Sequence, residues 1–246
     1  MMQILGVHDP NYPISINEPS YDYRSTLSDG VKGIHIGVPI DDWIWKEWVT
    51  EEHEDRVRRA IQVLEELGAH VSEVSLPLAA ESRALMEGIE EGGIWWEENA
   101  SLFENLDKWE ELQAAIQASK EKQVDVVDYV RKARKRLLVR QELVEALNQV
   151  DIIAMPTGMT LGDTPEVKTT LLRGREVITR SRAMYLNGLA SITGFPALSV
   201  PCGFAMEDRL PVALQLVGRP LEETFIYRAA YAYEQAAEWY LRHPSI

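Results

Sequence analysis

The segment from residue 34 to residue 76 constrains the fold most, because its pattern is that of a strand, a helix and a second strand. Residues 34–39 are apolar and end at a proline, which is typical of a short buried strand. Thr50 suits the N-cap of a helix, apolar residues then recur at helical spacing, and Gly68 suits the helix end. Residues 70–76 return to a strand. Such a unit favours a right-handed crossover within one sheet.

Three later segments are predicted to add strands to this sheet. They are residues 152–156, 197–201 and 211–217. The first two are apolar on both faces, which is typical of central strands that are covered on both sides, so we expect both near the middle of the sheet. Proline lacks the N–H that a strand ladder needs and should mark strand ends at four positions: Pro39, Pro156, Pro196 and Pro201.

Helices are predicted for much of the remaining chain. The longest should run from about residue 124 to residue 147, and a final helix should lie between residues 221 and 240. Residues 158–180 are polar and contain glycine and proline, which indicates a loop or a short hairpin. The predicted fold class is therefore α/β, a mixed β-sheet flanked by helices. We divide the chain into an extended N-terminal arm at residues 1–33 and a single α/β domain at residues 34–246.

Charge and composition exclude several kinds of partner. The 246 residues carry a net charge of −14, which disfavours nucleic acid. Basic side chains gather at residues 131–140 and acidic ones at residues 87–111, which we interpret as helical faces that are solvated or face each other. Cys202 is the single cysteine, so an internal disulfide and a cysteine-rich zinc site are impossible. No apolar run approaches the ~18 residues of a membrane span, and we expect a cytoplasmic protein.

Five segments carry the most informative local sequence. Residues 193–203 (TGFPALSVPCG) and 210–218 (LPVALQLVG) form the more specific pair. The other three segments are residues 4–11 (ILGVHDPN), 31–39 (VKGIHIGVP) and 150–157 (VDIIAMPT). In this order, and over nearly the whole chain, they resemble the C-terminal half of amidase-signature hydrolases. The resemblance implies the fold of that family, a mixed sheet flanked by helices.

The resemblance implies an activity and also a missing part. Members of the family cleave amide bonds with a serine nucleophile, a second serine and a lysine base, which lie in a Gly/Ser-rich signature upstream of the segments matched here. This sequence contains no such signature. Because serine needs an adjacent base to become a good nucleophile, we expect no catalytic residue in this chain and no amidase activity from it alone. The resemblance implies neither a cofactor nor a metal ion.

One role of this half of the family concerns the substrate. The resemblance implies that the loop after residues 154–157 and the segment before residue 193 line the acyl pocket. The substrate-binding positions are then Pro156, Thr157, Gly158, Met159 and Asn187.

The resemblance also bears on which amide is bound. Met184 stands near the place where glutamine-using amidotransferases carry an acidic residue, so glutamine is disfavoured as a substrate. The alternative for Asn187 and Ser191 is that they only cap a helix or bond to backbone.

Two classes of function remain open from the sequence. The first is half of an amidase, as a split gene product, a truncation or an excised piece, which binds a small amide when an N-terminal half complements it. The second is a non-catalytic binding or assembly module, and a homodimer is expected if its sheet is left bare. A self-sufficient hydrolase lacks a nucleophile, since Ser199 is interpreted as a hydrogen-bonded core serine and Cys202 has no histidine in a recognisable motif. His53 and His70 are interpreted as surface residues.

Overall fold

The computed structural model describes residues 2–12, 15–18, 22–90, 125–158, 169–178, 183–205 and 210–242. Its helices are α1 (Met2–Leu5), α2 (Glu51–Glu66), α3 (Ser82–Glu90), α4 (Val126–Leu147), α5 (Ala183–Thr193) and α6 (Glu223–Ala237). Its strands are β1 (His35–Pro39), β2 (His70–Val74), β3 (Ile152–Pro156), β4 (Thr169–Leu172), β5 (Arg175–Ile178), β6 (Ala197–Phe204) and β7 (Pro211–Gly218). The predicted fold class, a mixed β-sheet flanked by helices, is confirmed.

Five of the strands form one mixed sheet in the order β2-β1-β3-β7-β6. β1 pairs in parallel with β2 and with β3, so the first two predicted strands are neighbours as expected. β7 pairs antiparallel with β3 and with β6. β3 lies at the centre of the order and is buried at every position, which confirms the prediction made for residues 152–156.

The prediction that residues 197–201 lie near the middle of the sheet is wrong for the sheet that the described residues form. They belong to β6, the edge strand, where Ala197, Ser199 and Pro201 are exposed. An apolar pattern indicates how much surface a strand can bury, whereas its place depends on which other strands are present. Pro201 also does not end its strand, because a bulge makes Cys202 an extra residue and pairing then continues. The other three prolines lie at strand ends as predicted: Pro39, Pro156 and Pro196.

Two helices cover one face of the sheet. α2 contacts β3, β6 and β7, while α6 contacts β6, β7 and α2. At Gly218 a Cβ atom would lie 2.9 Å from the side chain of Ile226, so glycine lets α6 approach β7 closely. α3, α4 and α5 form a second group of helices that pack on one another. Among the helices in the described ranges, none is both long and apolar enough to cross a membrane.

The N-terminus of α2 is capped as the sequence predicts, but its histidine is buried. The Thr50 hydroxyl accepts a hydrogen bond from the backbone N–H of His53 at 3.2 Å and lies 3.0 Å from the His53 Nδ1 atom. His53 is only 3% exposed, so its interpretation as a surface residue is wrong. Burial lowers the pKa of this imidazole, which is neutral in the capping arrangement. His70 is exposed as expected.

The region predicted as a polar loop or a short hairpin contains a hairpin. β4 and β5 pair antiparallel around Arg173 and Gly174, which both have positive φ (46° and 80°), as a two-residue turn between twisted strands requires. The Arg173 side chain fastens the hairpin to the start of α2 by donating to the Val49 carbonyl at 2.7 Å and to Glu54 at 2.8 Å.

The end of the predicted arm lies on α6. Arg228 donates two hydrogen bonds to the Gly30 carbonyl, at 3.2 and 2.9 Å, and the rings of Tyr23 and Tyr227 meet edge-to-face with centroids 5.7 Å apart. Val31 is buried. The division of the chain into an arm and a domain stays a prediction.

Candidate functional site

The candidate site lies where β3 ends, beside the exposed edge of the sheet. Pro156 is buried as the last residue of β3, and Thr157 follows it, half-buried, with its N–H donating to the Ala213 carbonyl of β7 at 3.1 Å. The Thr157 hydroxyl lies 2.9 Å from the hydroxyl of Ser199, which belongs to β6. This pair bridges two strands that are separated by β7. The hydrogen bond predicted for Ser199 is present, but the prediction that Ser199 is a core residue is wrong, because it is exposed.

A third polar side chain shares this row of the sheet. Gln215 of β7 stands opposite both Ser199 of β6 and Met155 of β3, so these side chains project to the same face. Gln215 is only 4% exposed, and its Nε2 atom is buried without a hydrogen-bond partner. An unpaired buried amide donor costs about 1–3 kcal/mol. Local sequence carries no signal for this group, since only the strand register shows which face it occupies.

The remaining predicted positions are not all joined to this pair. Gly158 follows Thr157 and is half-buried, whereas Met159 lies outside the described residues. Asn187 is exposed on α5, and its carbonyl accepts a long hydrogen bond, 3.4 Å, from the Ser191 hydroxyl. That bond agrees with the alternative in which Ser191 only bonds to backbone. Met184 also lies on α5, but its side chain is not among those described.

The turn that leads from α5 into β6 is held by a residue that sequence reasoning did not single out. Arg140 of α4 donates to the Thr193 carbonyl and stacks over the Phe195 ring, with its guanidinium carbon 4.9 Å from the ring centroid. The Thr193 hydroxyl bonds back to the Leu189 carbonyl at 2.6 Å, and Gly194 takes the left-handed φ of 72° that ends the helix. These contacts fix where β6 begins and therefore where Ser199 lies.

The electrostatics of the neighbouring groups disfavour a nucleophile. Cys202 is buried in the bulge of β6, and burial raises the pKa of its thiol to about 12 although the Arg56 charge acts in the opposite direction. A thiol with such a pKa forms almost no thiolate at neutral pH. The Ser199 hydroxyl faces the Thr157 hydroxyl, which is too weak a base to take its proton. In the ranges that the structure describes, no three His, Cys, Asp or Glu side chains group closely enough to hold a metal ion.

The arrangement can therefore bind but is not equipped to attack. Two hydroxyl groups offer donors and acceptors, and the Gln215 amide offers a donor that no other described group uses. These are the groups that recognise a neutral carbonyl or amide.

Comparison with known proteins agrees with this picture. The family model described as Amidase matches residues 1–226. An amidase of Pseudomonas putida is 33% identical over 253 residues, which cover 100% of this chain and 52% of that protein. The glutamyl-tRNA(Gln) amidotransferase A-type subunit of a Cyanothece species is 32% identical over 273 residues, which cover 100% of this chain and 54% of that protein.

Solved structures extend the comparison to the fold. The corresponding glutamyl-tRNA(Gln) amidotransferase protein of Thermotoga maritima is 26% identical and superposes with a TM-score of 0.71 over 95% of this chain and 49% of its own. A bacterial aryl acylamidase of the amidase-signature family, 22% identical, shares the fold with a TM-score of 0.76 over 96% of this chain and 50% of its own. The chain thus spans about half the length of the relatives that it matches, corresponding to their C-terminal part. This chain belongs to the amidase family.

Proposed function

We propose that this chain supplies part of the fold and one polar wall of the substrate pocket in an amide-hydrolysing protein. The nucleophile and its base come from the part of the amidase fold that this chain does not span. The observation that carries the proposal is the hydroxyl pair of Thr157 and Ser199 above the unpartnered Gln215 amide, exposed at the sheet edge with no base beside it in the described part of the chain. A site with recognition groups and without an activated nucleophile fits binding and not bond cleavage.

The substrate class that fits these groups is a small neutral amide. Its carbonyl can accept a hydrogen bond from an amide or hydroxyl donor, and its N–H can donate to a hydroxyl oxygen. The substrate-binding positions proposed from the family resemblance are Pro156, Thr157, Gly158, Met159 and Asn187. Glutamine is disfavoured, because Met184 cannot pair with its charged α-amino group. The amidotransferase relatives therefore support membership of the family more than they support a shared substrate.

The test is complementation. This chain alone should not hydrolyse an aryl amide, whereas a chimera that joins the N-terminal half of the Pseudomonas putida amidase to this chain should do so. An inactive chimera that folds normally would count against the proposal. So would turnover by this chain alone that a serine-directed fluorophosphonate blocks.

Variants at the hydroxyl pair test the pocket itself in the active chimera. Thr157→Val keeps the shape of the side chain and removes its hydroxyl, and Ser199→Ala does the same for the second member. Each should raise KM roughly two- to tenfold, because one hydrogen bond contributes about 0.5–1.5 kcal/mol. Thr169→Val is a matched control, since the Thr169 hydroxyl bonds to Glu176 in the separate β4–β5 hairpin. Equal effects at all three positions would argue against a specific role for the pair.

The second candidate is a non-catalytic assembly module, and the exposed edge strand β6 favours it. In that case the chain buries its edge in a homodimer and binds no amide. Light scattering after size exclusion separates the candidates, because a concentration-independent dimer without complementation supports the module and a monomer that complements supports the amidase half.

A further inference from the structure

The hydrogen-bond pattern of β7 fixes which backbone groups of β6 face outward. Gly218 donates to the Pro196 carbonyl at 3.1 Å, so backbone groups of even-numbered residues in this part of β6 point to β7. The N–H and C=O groups of Ala197 and Ser199, and the C=O of Pro201, then point to the free edge. These three residues are the exposed ones, and their side chains share the face that carries the Thr157–Ser199 pair.

This edge lacks the devices that protect an exposed strand. Residues 197–204 contain no charged side chain, and only Pro201 and the bulge after it interrupt the row of backbone groups. The opposite edge of the same sheet is different, because β2 carries His70, Ser72 and Glu73 within its five residues. Charged and polar residues on an edge strand discourage pairing with another strand, and a bare edge invites it.

The sequence of β6 is that of an interior strand in an edge position. Val200 and Cys202 are buried against the helical layer, and the outward residues Ala197 and Pro201 are apolar as well. We infer that the free edge of residues 197–201 is a joint that accepts a strand from the part of the amidase fold that this chain does not span. The inference rests on the proposed function, and it assigns that missing part a defined contact of five backbone groups.

A second copy of this chain fits the joint less well. If two β6 strands paired antiparallel about Ser199, Ala197 of each would stand opposite Pro201 of the other. Pro201 has no N–H, so the Ala197 carbonyl would lose its donor in both halves of the pair. A strand without proline at that position satisfies the same groups completely.

Amide hydrogen exchange at single residues tests the joint. In this chain alone, the amides of Ala197 and Ser199 should exchange fast, while those of Leu198 and Val200 should exchange slowly because they bond to β7. In the chimera with the N-terminal half of the Pseudomonas putida amidase, the Ala197 and Ser199 amides should slow by at least about tenfold.

Lysine at the edge gives a second readout that does not depend on assignment of amides. Ala197→Lys places a charge at the joint, and the residue is exposed, so the isolated chain should fold normally. With the two halves supplied as separate polypeptides, the variant should weaken their association at least about tenfold by calorimetry. Leu67→Lys, at an exposed position after α2, is the matched control and should bind as the unmodified chain does.

Three results would overturn or isolate the inference. An active chimera with unchanged exchange at Ala197 and Ser199 refutes the joint and leaves the proposed function standing. Protection of both amides in an inactive chimera supports the joint and refutes the proposed function. Protection that appears in this chain alone and grows with its concentration assigns the edge to a second copy, which refutes the joint as stated.

Discussion

Removal of the Arg219 side chain should destabilise the chain more than any single surface change, because this residue joins three elements. Its guanidinium donates to the carbonyls of Leu147 and Val150, at 2.5 and 2.8 Å, and to carboxylates of Asp151 and Glu222, at 3.0 and 2.6 Å. The partners lie at the end of α4, at the start of β3 and in the loop before α6. Arg219 therefore holds β3, and with it Thr157, in register with its neighbours.

The expected loss follows from these four bonds. A hydrogen bond that involves a charged group contributes about 1.5–3 kcal/mol when water is excluded. The Arg219 side chain is 29% exposed, so water can replace part of what is lost at the two carbonyls and the two carboxylates. We expect Arg219→Ala to lower the free energy of unfolding by about 2–4 kcal/mol, less than the sum of the four bonds.

Urea unfolding, followed by the fluorescence of the seven tryptophans, measures this loss as a change in midpoint at constant slope. Arg219→Lys keeps the charge but not the planar fork, so it should recover less than half of the stability. Arg59→Ala is the surface control, since its ion pair with Glu66 is exposed on both sides and should matter by less than about 0.5 kcal/mol. A loss below about 1 kcal/mol for Arg219→Ala, or a lysine variant equal to the unmodified chain, would refute the reasoning.

Three further outcomes are expected. Gly37→Ala should cost about 1–3 kcal/mol in a thermal melt, because its Cβ would lie 2.8 Å from Val74 and 2.9 Å from Val150; an unchanged melting temperature would contradict the packing. Glu142 has a raised pKa, chiefly through burial, so the native state holds its proton more tightly and stability should fall as pH rises above the ordinary value of 4.5; urea titrations of Glu142→Gln should show less of this fall. Cys202 should react with a thiol reagent only after unfolding, and rapid labelling of the native chain would show that it is not buried.

Local patterns predict the elements well, and for identifiable reasons. The strand at residues 34–39, the helix after Thr50 and the long helix before β3 each carry a periodicity and a boundary residue within a few positions of one another. Asp151 belongs to a motif whose purpose the structure explains. Its two carboxylate oxygens accept from the His35 N–H at 2.9 Å and from Arg219 at 3.0 Å, which links β1, β3 and β7 at their shared end.

Nonlocal features are the ones that the sequence does not reveal. The apolar strand around Ser199 predicts a core position, yet the exposure of this residue depends on the absence of a neighbour beyond β6 in the described sheet. The glutamates around His53 predict a surface position, yet its ring turns back to Thr50 and is buried. Arg140 and Gln215 reach the candidate site through tertiary contacts and strand register, which no window of sequence contains.

The position of the bulge explains why the open edge and the candidate site coincide. Beyond Cys202, the second part of β6 is covered: Arg56 of α2 donates to the Phe204 carbonyl at 3.1 Å, and the Phe204 ring packs edge-to-face on Trp239. Only residues 197–201 remain bare, and the same stretch carries Ser199 of the hydroxyl pair. A strand added there would lie next to Ser199 and form the far wall of the pocket. Substrate binding and joining of the two halves should therefore strengthen each other, since both use one short segment of one strand.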